Sequence, residues 1–385
     1  MKTGVFFNWQ NGTDWDRYLA KDPSPQAVTD QQIYDEEIYL GDLVEPLGFD
    51  SYWAIDHYFT PYGMTGGALQ HLTRFAGKTS RIDLGTMVVV LPWYDPLLVA
   101  HQISVLDNML QGRKLTLGLG RGASIREFEP LGISMDEARG RFMESLEVLR
   151  LAMTQEFFSY DGEFFKIPET SIRPRFRNPE ALMDRMRIAW NSVETLPIAA
   201  NAGVGIFMTG QKSFEDYRKD VSQFNGIRAD RGWDPIQPTV TARVACFDTE
   251  TEAWDLISKH MVESLRNANL HYGFGGISKL GTTKGYEQFG AREHDTLSDE
   301  QIIEREALPQ AWGTPDQVFE KLKAIQQVTG AEEFVCNFKF GTMSVHDAER
   351  SMRLFAKEVL PRLHELDARL DVALTGRVAG TAPVS

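Results

Sequence analysis

Three stretches of this chain carry side chains able to do chemistry. Asp56-His57-Tyr58-Phe59 follows an apolar run, and a histidine there can carry a proton near neutral pH or be held passively by a loop carbonyl. Gly118-Leu119-Gly120-Arg121-Gly122-Ala123 ends another apolar run. An arginine among glycines suits an anionic cofactor, with an ion pair to Glu127 as the plain alternative. Trp190-Asn191-Ser192, with Thr195 three residues on, offers hydroxyl and amide groups at the start of a helix, which suits a phosphate or only a helix cap. Around these, Phe7, Trp9, Tyr58, Phe59 and Trp93 are candidates for a pocket that accepts a planar cofactor and an apolar substrate. His71, His101, His260, His271, His294, His346 and His364 show neither i,i+4 pairing nor carboxylate spacing for a metal, so no metal is predicted.

The elements that must position these residues alternate along the chain. Strands are predicted at Gly4–Asn8, Phe49–Ile55, Ile82–Val90, Lys114–Leu119, Arg187–Trp190, Val204–Met208, Thr239–Phe247 and Glu333–Phe338. Helical spacing fills the intervals: Thr29–Leu47, Ala68–Ala76, Pro96–Leu110, Met135–Met153, Thr195–Ala202, Ser213–Arg231, Glu250–Asn269, Asp316–Val328 and Ser344–Leu366. Alternation of eight strands with helices predicts an α/β fold, a (β/α)8 TIM barrel with insertions, in which the candidate residues fall at the carboxyl ends of strands.

We expect one domain over residues 1–366, a hairpin or loop insertion at 156–179, a mobile lid at 271–300 and a partly disordered tail at 367–385. Gly118 to Ala123 formally fits G-x-G-x-x-A, but that fingerprint needs a helix to begin at its last glycines. Pro130 and Gly132 interrupt the following stretch and a helix is expected only from about Met135, which argues against a nicotinamide fold.

Composition narrows the partners. The 385 residues carry a net charge of −14, with 42% hydrophobic and 24% charged residues, so nucleic acid and anionic membrane surfaces are poor partners. No run reaches transmembrane length, and the amino terminus reads directly as a strand, so a cytoplasmic enzyme is expected. Cys246 and Cys336 each sit in an apolar strand-like run and read as buried free thiols.

Taken in order, several segments make the chain resemble the bacterial-luciferase-like flavin monooxygenases, and the luciferase α subunit in particular. They are Gly48 to Gly63, Leu84 to Pro92 with Asp95-Pro96, Leu106-Asp107 through Gly112-Arg113 to Gly122, Asn191-Ser192 with Thr195, Gly313-Thr314-Pro315, and Ser351 to Pro361. The resemblance implies that His57 lies by the reactive edge of a flavin and that Thr86-Met87-Val88 runs under its ring, with a Met87-Val88 peptide that is often cis. It implies that Arg121, Ser192 and Thr195, beside Trp190 and Asn191, hold the flavin phosphate. It further implies reduced FMN from a separate NAD(P)H:flavin reductase, and dioxygen captured as a C4a-hydroperoxyflavin that oxygenates a hydrophobic or aromatic small molecule. A homodimer through the helices beside the second and third strands is also implied. Asn191 in place of an acidic residue, Gly120 in place of a cysteine and Tyr58 in place of a second histidine argue against light emission. Two alternatives share the resemblance: a dehydrogenase or reductase using the deazaflavin F420, and a non-catalytic partner subunit like the luciferase β chain.

Overall fold

The computed structural model describes residues 1–189, 195–208, 213–273, 286 and 297–376. Its strands are β1 (Lys2–Phe6), β2 (Ser51–Ala54), β3 (Asp83–Val90), β4 (Leu115–Gly120), β5 (Phe158–Asp161), β6 (Lys166–Thr170), β7 (Met186–Ala189), β8 (Gly205–Met208), β9 (Thr239–Cys246), β10 (Ala311–Gly313) and β11 (Glu333–Asn337). Eight of these pair in parallel as a closed ring, β1-β2-β3-β4-β7-β8-β9-β11, with β11 returning to β1 from Lys2↔Glu333 to Val5↔Cys336. This is the (β/α)8 barrel that the alternation predicted. Residues 156–179 contain an antiparallel hairpin, β5 with β6, as expected, and β10 is an extra short strand along the end of β9.

Strand alternation divides the apolar residues into two layers. Phe6, Trp53, Ile55, Phe207 and Val335 fill the barrel interior. Phe7, Tyr52, Leu84, Leu117, Ile188 and their neighbours pack outward under the helices. The interior is tight where backbones approach. A Cβ on Gly118 would lie 2.0 Å from the Thr86 carbonyl oxygen, and one on Gly85 would lie 2.3 Å from the Trp53 ring. Glycine at both positions lets β3 and β4 close over a large indole.

The helices begin where capping chemistry asks them to. Ser213 accepts from the Asp216 N–H at the head of Phe214–Ala229, and Thr314 forms a capping box with Gln317 at the head of Pro315–Thr329. Gly48 takes φ 92°, the left-handed stop expected there. Cys246 and Cys336 are buried and free.

Two stretches differ from expectation. A one-turn helix, Ile125–Phe128, starts directly after Ser124, in a segment expected to lack one, while Met135–Glu137 is only a 3₁₀ turn before the helix Ala138–Thr154. Helix Glu250–Tyr272 runs past Asn269, so His271 and Tyr272 are the end of a packed helix rather than part of a mobile excursion. Apart from Tyr286, most of the expected lid lies outside the described residues, as does the tail beyond Gly376. No helix among the described residues is long and apolar enough to cross a membrane.

Candidate active site

A cavity of about 270 Å³ opens at the carboxyl ends of the barrel strands. Its wall can be followed strand by strand. The loop after β2 brings His57, β3 brings Met87 and Val88, the end of β4 brings Gly120, Arg121 and Gly122, and the segment after β7 brings Thr195. Trp93, in the turn after β3, closes one side. Because β2, β3, β4 and β7 are consecutive neighbours in the ring, these groups form a row rather than a scatter. The Met87-Val88 peptide is cis, as the resemblance implied, and the β3–β4 register shifts between Thr86 and Val89. A Cβ on Gly120 would meet the Val88 side chain at 2.4 Å, so glycine keeps β4 close against this wall.

His57 is the most constrained of these residues. Its Nδ1 lies 3.0 Å from Glu127 Oε1, which also accepts the Tyr58 N–H at 2.8 Å. The other carboxylate oxygen lies 3.3 Å from His271 Nε2. Burial works against a charge on Glu127, but the attraction of His57 and His271 prevails and holds its carboxyl at about 2. An ionised carboxylate can only accept, so His57 Nδ1 carries a proton and Nε2 is the atom turned to other partners. The Tyr272 hydroxyl lies 3.3 Å from Nε2. Burial keeps His271 neutral down to about 4; its Nδ1 lies 2.9 Å from Thr60 Oγ1, and its ring stacks on Tyr62. His57, Glu127 and His271 also place one ligand atom each within 4.8 Å of one another, a cluster that no i,i+4 pattern announces.

Behind His57, Asp56 accepts from the Val90 N–H and the Tyr94 hydroxyl. Burial, the leading cause, pushes its carboxyl up to about 6. Tyr58 extends this chain through a 2.7 Å contact between its hydroxyl and that of Tyr94.

The other predicted site residues divide. Arg121 lines the cavity with its guanidinium 4.2 Å above the Tyr286 ring; it does not pair with Glu127, which His57 and Tyr58 occupy. Trp190, Asn191 and Ser192 lie outside the described residues. Thr86 is fully buried with its hydroxyl donated to the Gly118 carbonyl, so it supports the wall without forming it. Phe7 faces the outer layer while Phe6, its neighbour of opposite pleat, lines the cavity. Trp9 packs edge-on against Tyr34 and His71, away from the cavity. Tyr58 and Phe59 border a separate, shallower recess, with Phe59 51% exposed. Three functional candidates were missed: Glu127, His271 and Arg243. In the sequence Glu127 presents itself only as a partner for Arg121.

A (β/α)8 barrel that gathers a histidine–carboxylate pair and an arginine around one cavity at the carboxyl ends of its strands has the layout of a barrel enzyme. Residues 1–332 match the family model described as luciferase-like monooxygenase, and the chain belongs to that family. Among relatives, it is 24% identical over 353 residues to the alkanal monooxygenase alpha chain of the Kryptophanaron alfredi symbiont, covering 89% of this chain and 96% of the relative. Among solved structures, a monooxygenase from Streptomyces bottropensis superposes with a TM-score of 0.74 at 25% identity, covering 94% of this chain and 100% of the other. The oxygenating constituent of 3,6-diketocamphane monooxygenase from Pseudomonas putida, a type II Baeyer-Villiger enzyme in complex with FMN, shares the fold with a TM-score of 0.70 at 19% identity, over 94% of this chain and 98% of the other.

Proposed function

We propose that the protein is the oxygenating component of a two-component flavin monooxygenase. Reduced FMN comes from a separate NAD(P)H:flavin reductase, dioxygen is co-substrate, and the organic substrate is a small hydrophobic or aromatic molecule. The observation that carries this reading is the order of groups around the rim. Thr195 and Arg121 follow β7 and β4, the Met87-Val88 wall belongs to β3, and His57 follows β2, so a phosphate, a flat ring and a proton carrier would meet their partners in sequence.

The residues fit the cofactor on the protein's own chemistry. A guanidinium just past β4 and a hydroxyl at the helix start after β7 suit a phosphate, and Gly120 lets β4 lie close against the Val88 side chain. When bound, reduced flavin supplies the activation of dioxygen and the transfer of one oxygen atom to the substrate. His57 holds or releases a proton at Nε2, and Glu127 fixes its ring through Nδ1. Phe6, Met87, Val88, Ile198 and Met261 exclude water, which would otherwise divert the oxygen to hydrogen peroxide. We further propose a homodimer through the helix Pro96–Met109, where Leu98 and Met109 are 62% and 48% exposed.

Stopped-flow oxidation of enzyme-bound reduced FMN tests the reading. The expected result is a transient absorbance distinct from both reduced and oxidised flavin. Direct conversion to oxidised flavin, with the flavin bound throughout, would overturn it. Anaerobic reduction of substrate by a co-purified deazaflavin would transfer the site to the F420-dependent reading.

A further inference from the structure

The cavity wall carries a second cation that the cofactor does not account for. Arg243 lies on β9 and lines the cavity beside Thr241 and Ala242. Its Nε is shut off from solvent and meets no acceptor, and its guanidinium makes no ion pair among the described residues. Among the described residues its side chain donates no hydrogen bond, while its backbone N–H is held by Gln310 Oε1 at 2.9 Å. Burial pulls its proton affinity down, with Tyr62 and Glu306 attracting it too weakly to compensate.

Other enclosed cations of this chain are better served. Arg187 donates to the Asp184 and Met186 carbonyls and to Glu332, and Lys339 bonds Glu37. Arg228 donates to the Asp234 carbonyl. A desolvated guanidinium with no acceptor is unfavourable, and such a group facing a cavity is completed by what enters the cavity.

Its position separates it from the phosphate side. In the ring, β7 and β8 stand between β4 and β9, so Arg121 and Arg243 enter the cavity three strand positions apart. Arg139, also on the wall, belongs to the helix that follows β4 and so to the Arg121 side. Arg243 neighbours Tyr62 instead, whose ring meets that of His57 at 5.1 Å. The wall around it is largely apolar, with Ile55, Ile198, Met261, Leu265 and Ala268, and also carries Thr241, Ser264 and Glu306, the last attracting Arg243.

We propose that Arg243 anchors the substrate through an anionic oxygen, a carboxylate or an ionised hydroxyl, carried on an otherwise apolar body. The oxygenation of that substrate rests on the monooxygenase reading, but its binding does not. A guanidinium on the His57 side of the mouth sets the distance between the substrate's acid group and its reacting atom, and so selects which atom meets the cofactor.

The test uses two probes of one shape, 2-naphthoate and neutral 2-naphthamide, titrated calorimetrically into the flavin-loaded protein. Wild type is expected to prefer the naphthoate by roughly 10- to 100-fold, the value of a charge-assisted contact. Arg243→Met should erase the preference, keep the naphthamide affinity, and melt no lower than wild type, since it removes an unpaired charge. Equal binding of both probes to wild type overturns the proposal, as does a preference that survives in R243M. An R243M protein that melts lower and binds both probes poorly also overturns it, by making Arg243 structural. If naphthoate selectivity holds while stopped flow shows no oxygen activation, only the monooxygenase reading falls.

Discussion

Replacing Glu127 by glutamine removes one charge and almost no volume. The carboxylate accepts from Tyr58 N–H at 2.8 Å and His57 Nδ1–H at 3.0 Å, and a glutamine Oε1 can keep both contacts. What changes is the anion between two imidazoles. Its carboxyl is held at about 2 against an ordinary 4.5, roughly 2.5 decades or on the order of 3 kcal/mol. A depressed carboxyl contributes stability that is complete above pH 4.5 and is lost as pH falls through about 2. Burial keeps His271 neutral down to about 4, so at pH 7 it supplies no cation and part of that figure is absent. The expected loss in E127Q at pH 7 is therefore roughly 1–3 kcal/mol, by urea denaturation, and the gap to wild type narrows below pH 4.5. Function should suffer more than stability, because a neutral amide keeps the His57 tautomer but no longer offsets the positive charge the ring carries while it holds a proton at Nε2. We expect the transient seen on oxidation of bound FMN to decay roughly 100-fold faster, with a matching rise in hydrogen peroxide. An E127Q protein that binds FMN normally and keeps the wild-type transient lifetime would refute the positioning role.

The remaining predictions concern the barrel and its assembly. Burial pushes Glu333 up to about 7 from 4.5, so its contribution is complete below pH 4.5 and lost as pH rises through about 7. Glu333→Gln should thus match wild type near pH 5 and exceed it by on the order of 3 kcal/mol at pH 8.5; equal differences at the two pH values would contradict this. Gly118→Ala, whose new Cβ would lie 2.0 Å from the Thr86 carbonyl oxygen, should cost about 1–3 kcal/mol and weaken FMN binding. Gly77→Ala, whose Cβ meets nothing within 4 Å, should raise stability by roughly 0.5 kcal/mol; a neutral G118A would show that β3 and β4 can part freely. Leu98→Asp should turn a sedimenting dimer into a monomer with FMN affinity unchanged. An unchanged sedimentation coefficient would exclude that helix as the interface.

The barrel was legible because its signals are local. Apolar runs such as Ile82 to Val90 and caps such as Ser213 depend on residues within one turn or strand, and the observed ends fall within a few residues of those read from the sequence. His57, Met87, Val88, Trp93, Arg121 and Thr195 could be assembled because each follows or belongs to one such element. Glu127 and His271 could not. They reach His57 from 70 and 214 positions away, and nothing in their own neighbourhoods predicts the meeting. Phe7 was chosen over Phe6 because both are large and aromatic. The pleat decides between them, and its phase became visible only once β1 lay beside β2 and β11. Trp9 was mistaken for pocket for a related reason: aromatic density marks a core as readily as a mouth.

The contrast between the tight barrel interior and the loop-borne rim bears on how this protein can change over generations. Gly85 against Trp53 and Gly118 against Thr86 leave almost no volume for novelty, so most accepted changes there must arrive in compensating pairs. Arg121 and Thr195 follow their strands and Arg243 lies within β9, and all three side chains face the cavity rather than the packed interior. A single exchange at Arg243 can therefore redirect what the protein accepts without passing through an unfolded ancestor, which makes substrate choice the quickest of its properties to drift.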